Sequence, residues 1–363
     1  MTQGLDGVVA AETVLSHVDG EAGKLIYRGH AMEELAGHWR YEAVAGLFWD
    51  GFVEAPTDEA SIRVALGAAR VYASEIAQPL LSRIDGLAPV EALRLLLAAL
   101  PDRAAMPHHI LVTAAMPVFA AAIGRHLVGL PAKEPDPNLS QAEDFLRLLR
   151  DGPVPAAESQ ALDTYLVTVL DHGLNASTFA ARVVASTRAG MISSVVAALC
   201  ALKGPLHGGA PGPVLDMLDA IGSEQNIDPW LEGAIEDGGR LMGFGHRIYR
   251  VRDPRADVLK SVALRLRGGT NWIGFAEMVE RRALAILAER KPGRRLDTNV
   301  EFYTALVLDA LALPRELFTP VFAMGRVAGW AAHVLEQEQS GRLIRPQSHY
   351  VGPAVRPLRA LAG

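Results

Sequence analysis

A few side chains in this 363-residue chain have neighbours suited to chemistry. His207 sits in Lys203-Gly-Pro-Leu-His-Gly-Gly-Ala-Pro-Gly-Pro213, where glycines leave the imidazole and nearby backbone N–H groups free to approach a ligand. A neutral histidine there can donate a hydrogen bond to a carbonyl oxygen that gains negative charge, although an ordinary surface loop accounts equally well for the stretch by itself. His246 is followed within nine residues by Arg247, Arg250, Arg252 and Arg255. Guanidinium groups at that density suit carboxylates or phosphates, which they grip bidentately. The plain alternative is a solvated basic face, partly neutralised by Asp253, but Gly243 and Gly245 before the histidine and Asp-Pro before Arg255 favour irregular backbone and hence a site. His172 stands beside Asp171 at what reads as a helix break, where Asp171 or Asn175 can cap. Arg326 lies on an apolar helical stretch and must meet a protein acid or an anionic ligand. Arg345 belongs to a basic, proline-containing tail that is weakly specific. Glu301 sits near the head of the apolar run from Leu296 to Leu313 and has two readings. Thr298-Asn-Val-Glu301 has the spacing of a capping box, in which both side chains satisfy free N–H groups at a helix start. The other reading is a catalytic base, and a helix N-terminus favours the ionised carboxylate that a base needs. Histidines, arginines and one carboxylate together suit proton abstraction next to a carbonyl, with anionic substrates held by arginine. There is no phosphate-loop, HExxH or GxSxG pattern, and His108-His109 is a lone pair on an apolar stretch, so no metal is expected.

The elements that must position these groups read as helices. Apolar residues recur at helical spacing in Val90 to Leu100 and Trp272 to Leu287, among many such stretches. Alternating patterns are confined to Gly7 to Thr13, Lys24 to Arg28 and Arg342 to Arg345, which predicts an all-α protein with minor β near the termini. The length suits one large or two unequal domains, and a hydrophobic content of 50% allows a sizeable core. The glycine- and proline-rich loop Gly204 to Pro213 is the best hinge between them. A net charge of −6 argues against a general nucleic-acid or membrane-surface partner. Cys200 is the sole cysteine and reads as buried filler, so a reducing, cytoplasmic setting fits. The longest apolar stretches, Ile110 to Ile123 and Ala189 to Leu202, fall short of the ~20 residues that span a bilayer.

Several blocks then carry a resemblance. GPLHGG, GFGHRIYRVRDPRA, NVEFY, GRVAGWAAH and RPQSHYVG, with DHGLNAST and an N-terminal block from Gly4, resemble the signature motifs of citrate synthases and 2-methylcitrate synthases, in order and over nearly the whole chain. The resemblance implies a helical homodimer, each subunit having a large domain (1–208 and 313–363) and a small one (209–312) that closes over the substrates. It implies condensation of acetyl-CoA with oxaloacetate to give citrate and CoA, with propionyl-CoA as the alternative acyl donor. The thioester is a substrate, and no cofactor is implied. By motif position, His207, His246 and Glu301 are the catalytic residues. His172, Arg255, Arg326 and Arg345 bind oxaloacetate, Arg345 from the other subunit, and Arg247 and Arg250 face CoA. Two positions depart from the family's pattern: Glu301 stands where aspartate is usual, and Pro211 where asparagine is. The extra methylene shifts the carboxylate by about an ångström, a displacement that can cost about a hundredfold in rate unless compensated. A catalytically weak binder of the same ligands is therefore the other outcome. The unchanged NV and FY neighbours favour compensation.

Overall fold

The computed structural model describes residues 3–5, 7–205, 207–208, 211–246, 248–266, 272–293 and 295–355. Among these the chain forms a three-stranded sheet and fifteen α-helices. The strands are β1 (Ser16–Asp19), β2 (Lys24–Tyr27) and β3 (His30–Ala31). Helices α1 (Met32–Leu35), α2 (Tyr41–Trp49), α3 (Glu59–Ala77), α4 (Pro89–Ala98), α5 (His108–Leu127), α6 (Gln141–Leu149), α7 (Ala156–Thr168), α8 (Ala176–Ala185) and α9 (Met191–Leu202) follow. Then come α10 (Pro211–Ile221), α11 (Ile227–Glu236), α12 (Pro254–Arg265), α13 (Trp272–Arg290), α14 (Val300–Ala310) and α15 (Phe318–Ser340). The helical expectation holds, and each expected stretch lies within a helix or overruns it by a residue or two.

Local chemistry sets the helix starts. The side chains of Asp58, Ser140, Asn175 and Asp253 each accept a backbone N–H in the first turn of α3, α6, α8 and α12, freeing those helices from unpaired donors. Five helices, α3, α4, α6, α9 and α15, pack around α5, which is buried from His109 to Arg125. At 20 residues α5 is longer than the sequence pattern indicated and long and apolar enough to cross a bilayer, but 89% of its most apolar window is buried inside the molecule. Further along, α14 packs on α10 and α12, and α13 on α11, with α7 touching α12 and α14.

The β expectation holds for Lys24 to Arg28, which supplies β2, and needs correcting for the other two stretches. Strands β1 and β2 pair antiparallel with Ser16 opposite Tyr27, and β3 continues the sheet. Their turn forms because Asp19 Oδ1 accepts the N–H groups of Glu21 and Ala22 at 3.1 and 2.8 Å, so Asp19-Gly20 was the readable signal. Residues 7 to 13 and 342 to 345 belong to no strand, because nothing among the described residues pairs with their backbone as a ladder. Cys200 is exposed rather than buried. The inward stripe of α9 runs Val195, Ala198, Leu199, Leu202, and Cys200 falls off it.

A buried ion pair ties α3 to α6. Arg70 Nε donates to Asp144 Oδ2 at 2.8 Å with both side chains fully buried, and its other nitrogens reach Gln141 Oε1 and the carbonyls of Asp136 and Leu139. Removing one member leaves an uncompensated charge in the core. Asp144→Ala is expected to lower stability by about 3–5 kcal/mol, read as the shift of a urea unfolding midpoint.

Candidate active site

The break between α7 and α8 carries His172. Its neighbour Asp171 is fully buried and anchors the segment: Oδ2 accepts the N–H of Gly173 at 3.0 Å and a short hydrogen bond from Ser16 Oγ. Oδ1 lies 3.2 Å from His333 Nε2. A guanidinium can only donate, so the 3.0 Å contact of Arg182 Nη1 with His333 Nδ1 puts the imidazole proton on Nε2, facing Asp171. Tyr27 of β2 adds a hydrogen bond of 2.8 Å to the Asp171 carbonyl, seating the hairpin on this segment. The asparagine expected as a cap performs that role, since Asn175 accepts the N–H groups of Ser177 and Thr178.

Helix α15 lies directly on the same break because Gly325 and Gly329 face it. A Cβ on Gly329 would stand 2.2 Å from the Leu170 carbonyl oxygen. This approach lets Arg326 Nε donate to the Val169 carbonyl at 2.7 Å, with the guanidinium over the Phe322 ring. Arg326 is 1% exposed, and its Nη1 has no hydrogen-bond partner among the described residues. Burial pushes its pKa down, against the pull of Asp171. A buried guanidinium with an unused donor is suited to receive an anion.

The loop from Gly243 to Arg255 is held against the chain before α14. Gly245 N–H donates to the Asp297 carbonyl at 2.8 Å, and Asn299 donates to Gly243 and Gly245 carbonyls at 2.9 and 2.8 Å. Positive φ angles of 84° and 79° at Gly243 and Gly245 make this pairing possible. The pairing sets the segments that carry His246 and Glu301 side by side. His246 Nδ1 accepts the N–H groups of Ile248 and Tyr249 at 3.0 and 3.1 Å, so its proton sits on Nε2. Burial first, then Arg255, pushes its pKa down to about 4, and the ring is a neutral donor near pH 7. Its ring lies 5.4 Å from that of His172, and Tyr249 Oη is 3.3 Å from His172 Nε2. Burial and the positive charge of Arg255 also hold His172 well below the usual histidine range.

His207 faces the start of α8. Its Nε2 accepts the Ser177 N–H at 3.3 Å and lies 2.8 Å from Ser177 Oγ, itself hydrogen-bonded by Trp330 Nε1 at 3.1 Å. Burial and Arg326 push its pKa down to about 4. All three histidines are therefore neutral near pH 7. Arg255 is 3% exposed and bound bidentately by Asp253, with Nε and Nη2 at 3.0 and 2.8 Å from the carboxylate.

Glu301 is not a cap. Asn299 caps α14, accepting the Glu301 N–H at 3.0 Å, while Thr298 Oγ1 donates to Glu280 instead. Nothing among the described residues donates a hydrogen bond to the Glu301 carboxylate, whose pKa rises to about 7 because burial outweighs Arg255 and Arg240. The helix N-terminus, expected to favour the ionised form, does not win over that burial.

The structure thus brings His172, His207, His246, Arg255, Arg326 and Glu301 into one cluster. Arg345 is exposed on the C-terminal extended segment and lies outside it, as does the exposed Arg250, whose N–H donates to the Gly20 carbonyl at 2.8 Å. Arg247 lies outside the described residues. Among the described residues no group of His, Cys, Asp and Glu is arranged to hold a metal ion. Ser177, Trp330, Tyr249, Glu280 and His333 carry no signal in the sequence, because nothing in a lone serine or tyrosine tells which ring it will meet, and Asp171, a candidate cap, is instead the partner of His333.

A family model for the citrate synthase C-terminal domain matches residues 4–347. The chain belongs to the citrate synthase family. It is 37% identical over 373 residues to a citrate synthase of Haloferax volcanii, covering 97% of this chain and 96% of that one. It is 35% identical over 363 residues to citrate synthase 2 of Bacillus subtilis, with the same coverage. Among solved structures, citrate synthase from Thermotoga maritima superposes with a TM-score of 0.85 at 31% identity, covering 99% of this chain and 98% of that one. The ternary complex of Thermoplasma acidophilum citrate synthase with carboxymethyl coenzyme A and oxaloacetate has the same TM-score and coverage at 28% identity. This family's helical fold is the one described above, and this chain is an enzyme of that family. Five of the motif blocks, those holding His172, His207, His246 to Arg255, Glu301 and Arg326, converge on the cluster.

Glu301 gives the site a pH signature. Between the ordinary glutamate pKa and about 7 the folded protein holds a proton here that the unfolded chain has released, so stability falls as pH rises through that window. Glu301→Gln, which mimics the protonated form, is expected to melt higher than the parent at pH 8, by on the order of 1–3 kcal/mol, with the gap closing toward pH 5. Thermal melts across pH check this, and a variant less stable at pH 8 would contradict the account of the buried carboxylate.

Proposed function

We propose that the protein is an acyltransferase that condenses the acetyl group of acetyl-CoA with oxaloacetate and hydrolyses the product to citrate and CoA, the entry reaction of the tricarboxylic acid cycle. The observation that carries this reading is a carboxylate poised near neutrality beside neutral histidines and a buried guanidinium with an unused donor. Ionised Glu301 takes a proton from the thioester methyl group. His207, kept neutral by burial beside the head of α8, hydrogen-bonds the thioester oxygen, where the enol or enolate charge develops. The nucleophilic carbon attacks the ketone carbon of oxaloacetate, whose oxygen takes the hydrogen bond of His246 Nε2–H. Arg326 Nη1 and the remaining nitrogen of Arg255 meet the carboxylates, helped by His172 and by the partner subunit's Arg345. Water then cleaves the citryl thioester, and CoA leaves with the sulfur. Arg250, exposed beside the hairpin, and Arg247 face the CoA phosphates.

We infer a small domain over residues 209–312, supported by the packing of α10 to α14 mainly on one another, with α7, α1 and the hairpin at Gly20 as the bordering contacts. A homodimer is the matching assembly. Exposed apolar residues at both ends of the chain, Val8, Val9, Leu343 and Val351 among them, support it.

The test is oxaloacetate-dependent release of CoA thiol from acetyl-CoA, with propionyl-CoA as the competing donor; the ratio of kcat/KM for the two assigns the acyl group. A base with a pKa of about 7 predicts a rate that falls about tenfold per pH unit below that value. Glu301→Gln is expected to lose at least about a hundredfold in kcat. No thiol release with either thioester, or full turnover by Glu301→Gln, would reject the reading.

A further inference from the structure

We propose that Glu280, on α13, is a positioning residue that fixes the head of α14 and thereby aims the carboxylate of Glu301. The inference rests on the reading of Glu301 as the base. Glu280 is 5% exposed and receives four donors. Thr298 Oγ1 and Arg252 Nη1 reach Oε1 at 2.7 and 3.0 Å, and Tyr303 Oη and Lys260 Nζ reach Oε2 at 2.6 and 3.2 Å. Thr298 and Tyr303 flank Glu301 on either side, Arg252 belongs to the loop of His246 and Arg255, and Lys260 lies on α12. One carboxylate therefore joins the segment that carries the base to the segment that carries the electrophilic histidine.

The other groups around Glu301 are tied as well. Asn299 caps the helix and holds Gly245, and the Val300 N–H donates to Asp253 Oδ2 at 3.2 Å, the same carboxylate that grips Arg255. With its flanking residues fixed, the Glu301 carboxylate is left without a hydrogen bond of its own among the described residues. Burial alone would raise the pKa of Glu280, but the hydrogen bonds from Tyr303 and Thr298 and the charge of Arg252 bring it below the ordinary value, so it is an ionised clamp while Glu301 titrates near neutrality. A glutamate has one more rotatable bond than the aspartate usual at this position, so its carboxylate has more freedom to lose and its backbone more need of anchoring. Misplacement by about an ångström is enough to cost a large factor in rate.

The experiment uses the full-length protein and expresses turnover per site, with sites counted by calorimetric titration with oxaloacetate. Glu280→Gln removes the charge that draws Arg252 and Lys260, and Tyr303→Phe removes one donor as a milder change. The expected result is a kcat per site at least about tenfold lower in Glu280→Gln and lower to a smaller degree in Tyr303→Phe, with the oxaloacetate dissociation constant within about twofold of the parent. With methyl-deuterated acetyl-CoA the isotope effect on kcat should be no smaller than in the parent, because proton removal becomes the slower step. A merely structural role lowers the number of sites and leaves kcat per site unchanged. That outcome in both variants, or a collapsed isotope effect, overturns the inference. If the parent protein itself fails to release thiol, the reading of Glu301 falls and this inference with it; if the parent turns over and the variants match it, the inference falls by itself.

Discussion

The guanidinium of Arg326 is a positive charge enclosed in the core of a helical protein, bound through Nε to one carbonyl and otherwise balanced at a distance by Asp171. Much of the site follows from that constraint. Burial is the larger cause of the lowered proton affinity of His172 and His207, and the charge of Arg326 adds to it in both, for His172 after Arg255 and His246. Asp171, whose charge acts on the arginine from a distance, is held in place by Ser16, Gly173 and His333. The small residues of α15 belong to the same logic, because the helix must lie against the chain break for its arginine to reach it.

Arg255 shows the contrasting arrangement. It is equally buried, but Asp253 binds two of its nitrogens, so its charge is compensated inside the protein. Two guanidinium groups close enough to repel one another are thus kept in different states, one paired and one waiting. Glu301 feels the paired one, yet its burial outweighs that attraction. Burial thus works in opposite directions within this cluster, lowering the proton affinity of the histidines and raising that of the carboxylate.

The sequence was most legible where one residue type had one physical use. Arg326 on an apolar helix could not be an ordinary surface arginine, and glycines around His207 and before His246 marked irregular backbone. The helices read clearly because their apolar stripes repeat over many turns. What stayed illegible depended on competition between partners far apart in the chain. The capping-box spacing at Thr298 was correct as local chemistry, but Glu280 offers the threonine a buried, charged acceptor and Asn299 takes over the cap. Residues 7 to 13 alternate like a strand yet find no neighbour, whereas Ser16–Asp19, one of the true strands, needed only the Asp19-Gly20 turn to be seen. Arg345 belongs to a motif that the fold of a single subunit leaves at the surface.

The amino-terminal hairpin has a consequence for how the molecule is made. Its turn accepts a hydrogen bond from Arg250, its first strand holds Asp171, and the residues just before it bond to Glu336, with Val14 and Glu336 separated by 322 positions. A chain emerging from the ribosome amino-terminus first presents this hairpin long before any of those partners exists. Loop closure over such a separation is slow, and the hairpin must wait, partly exposed, until the last long helix has been synthesised. The hairpin therefore reaches its native place only after partners more than 300 positions further along the chain have been made, and the segment of Asp171 and His172 is completed late in biosynthesis.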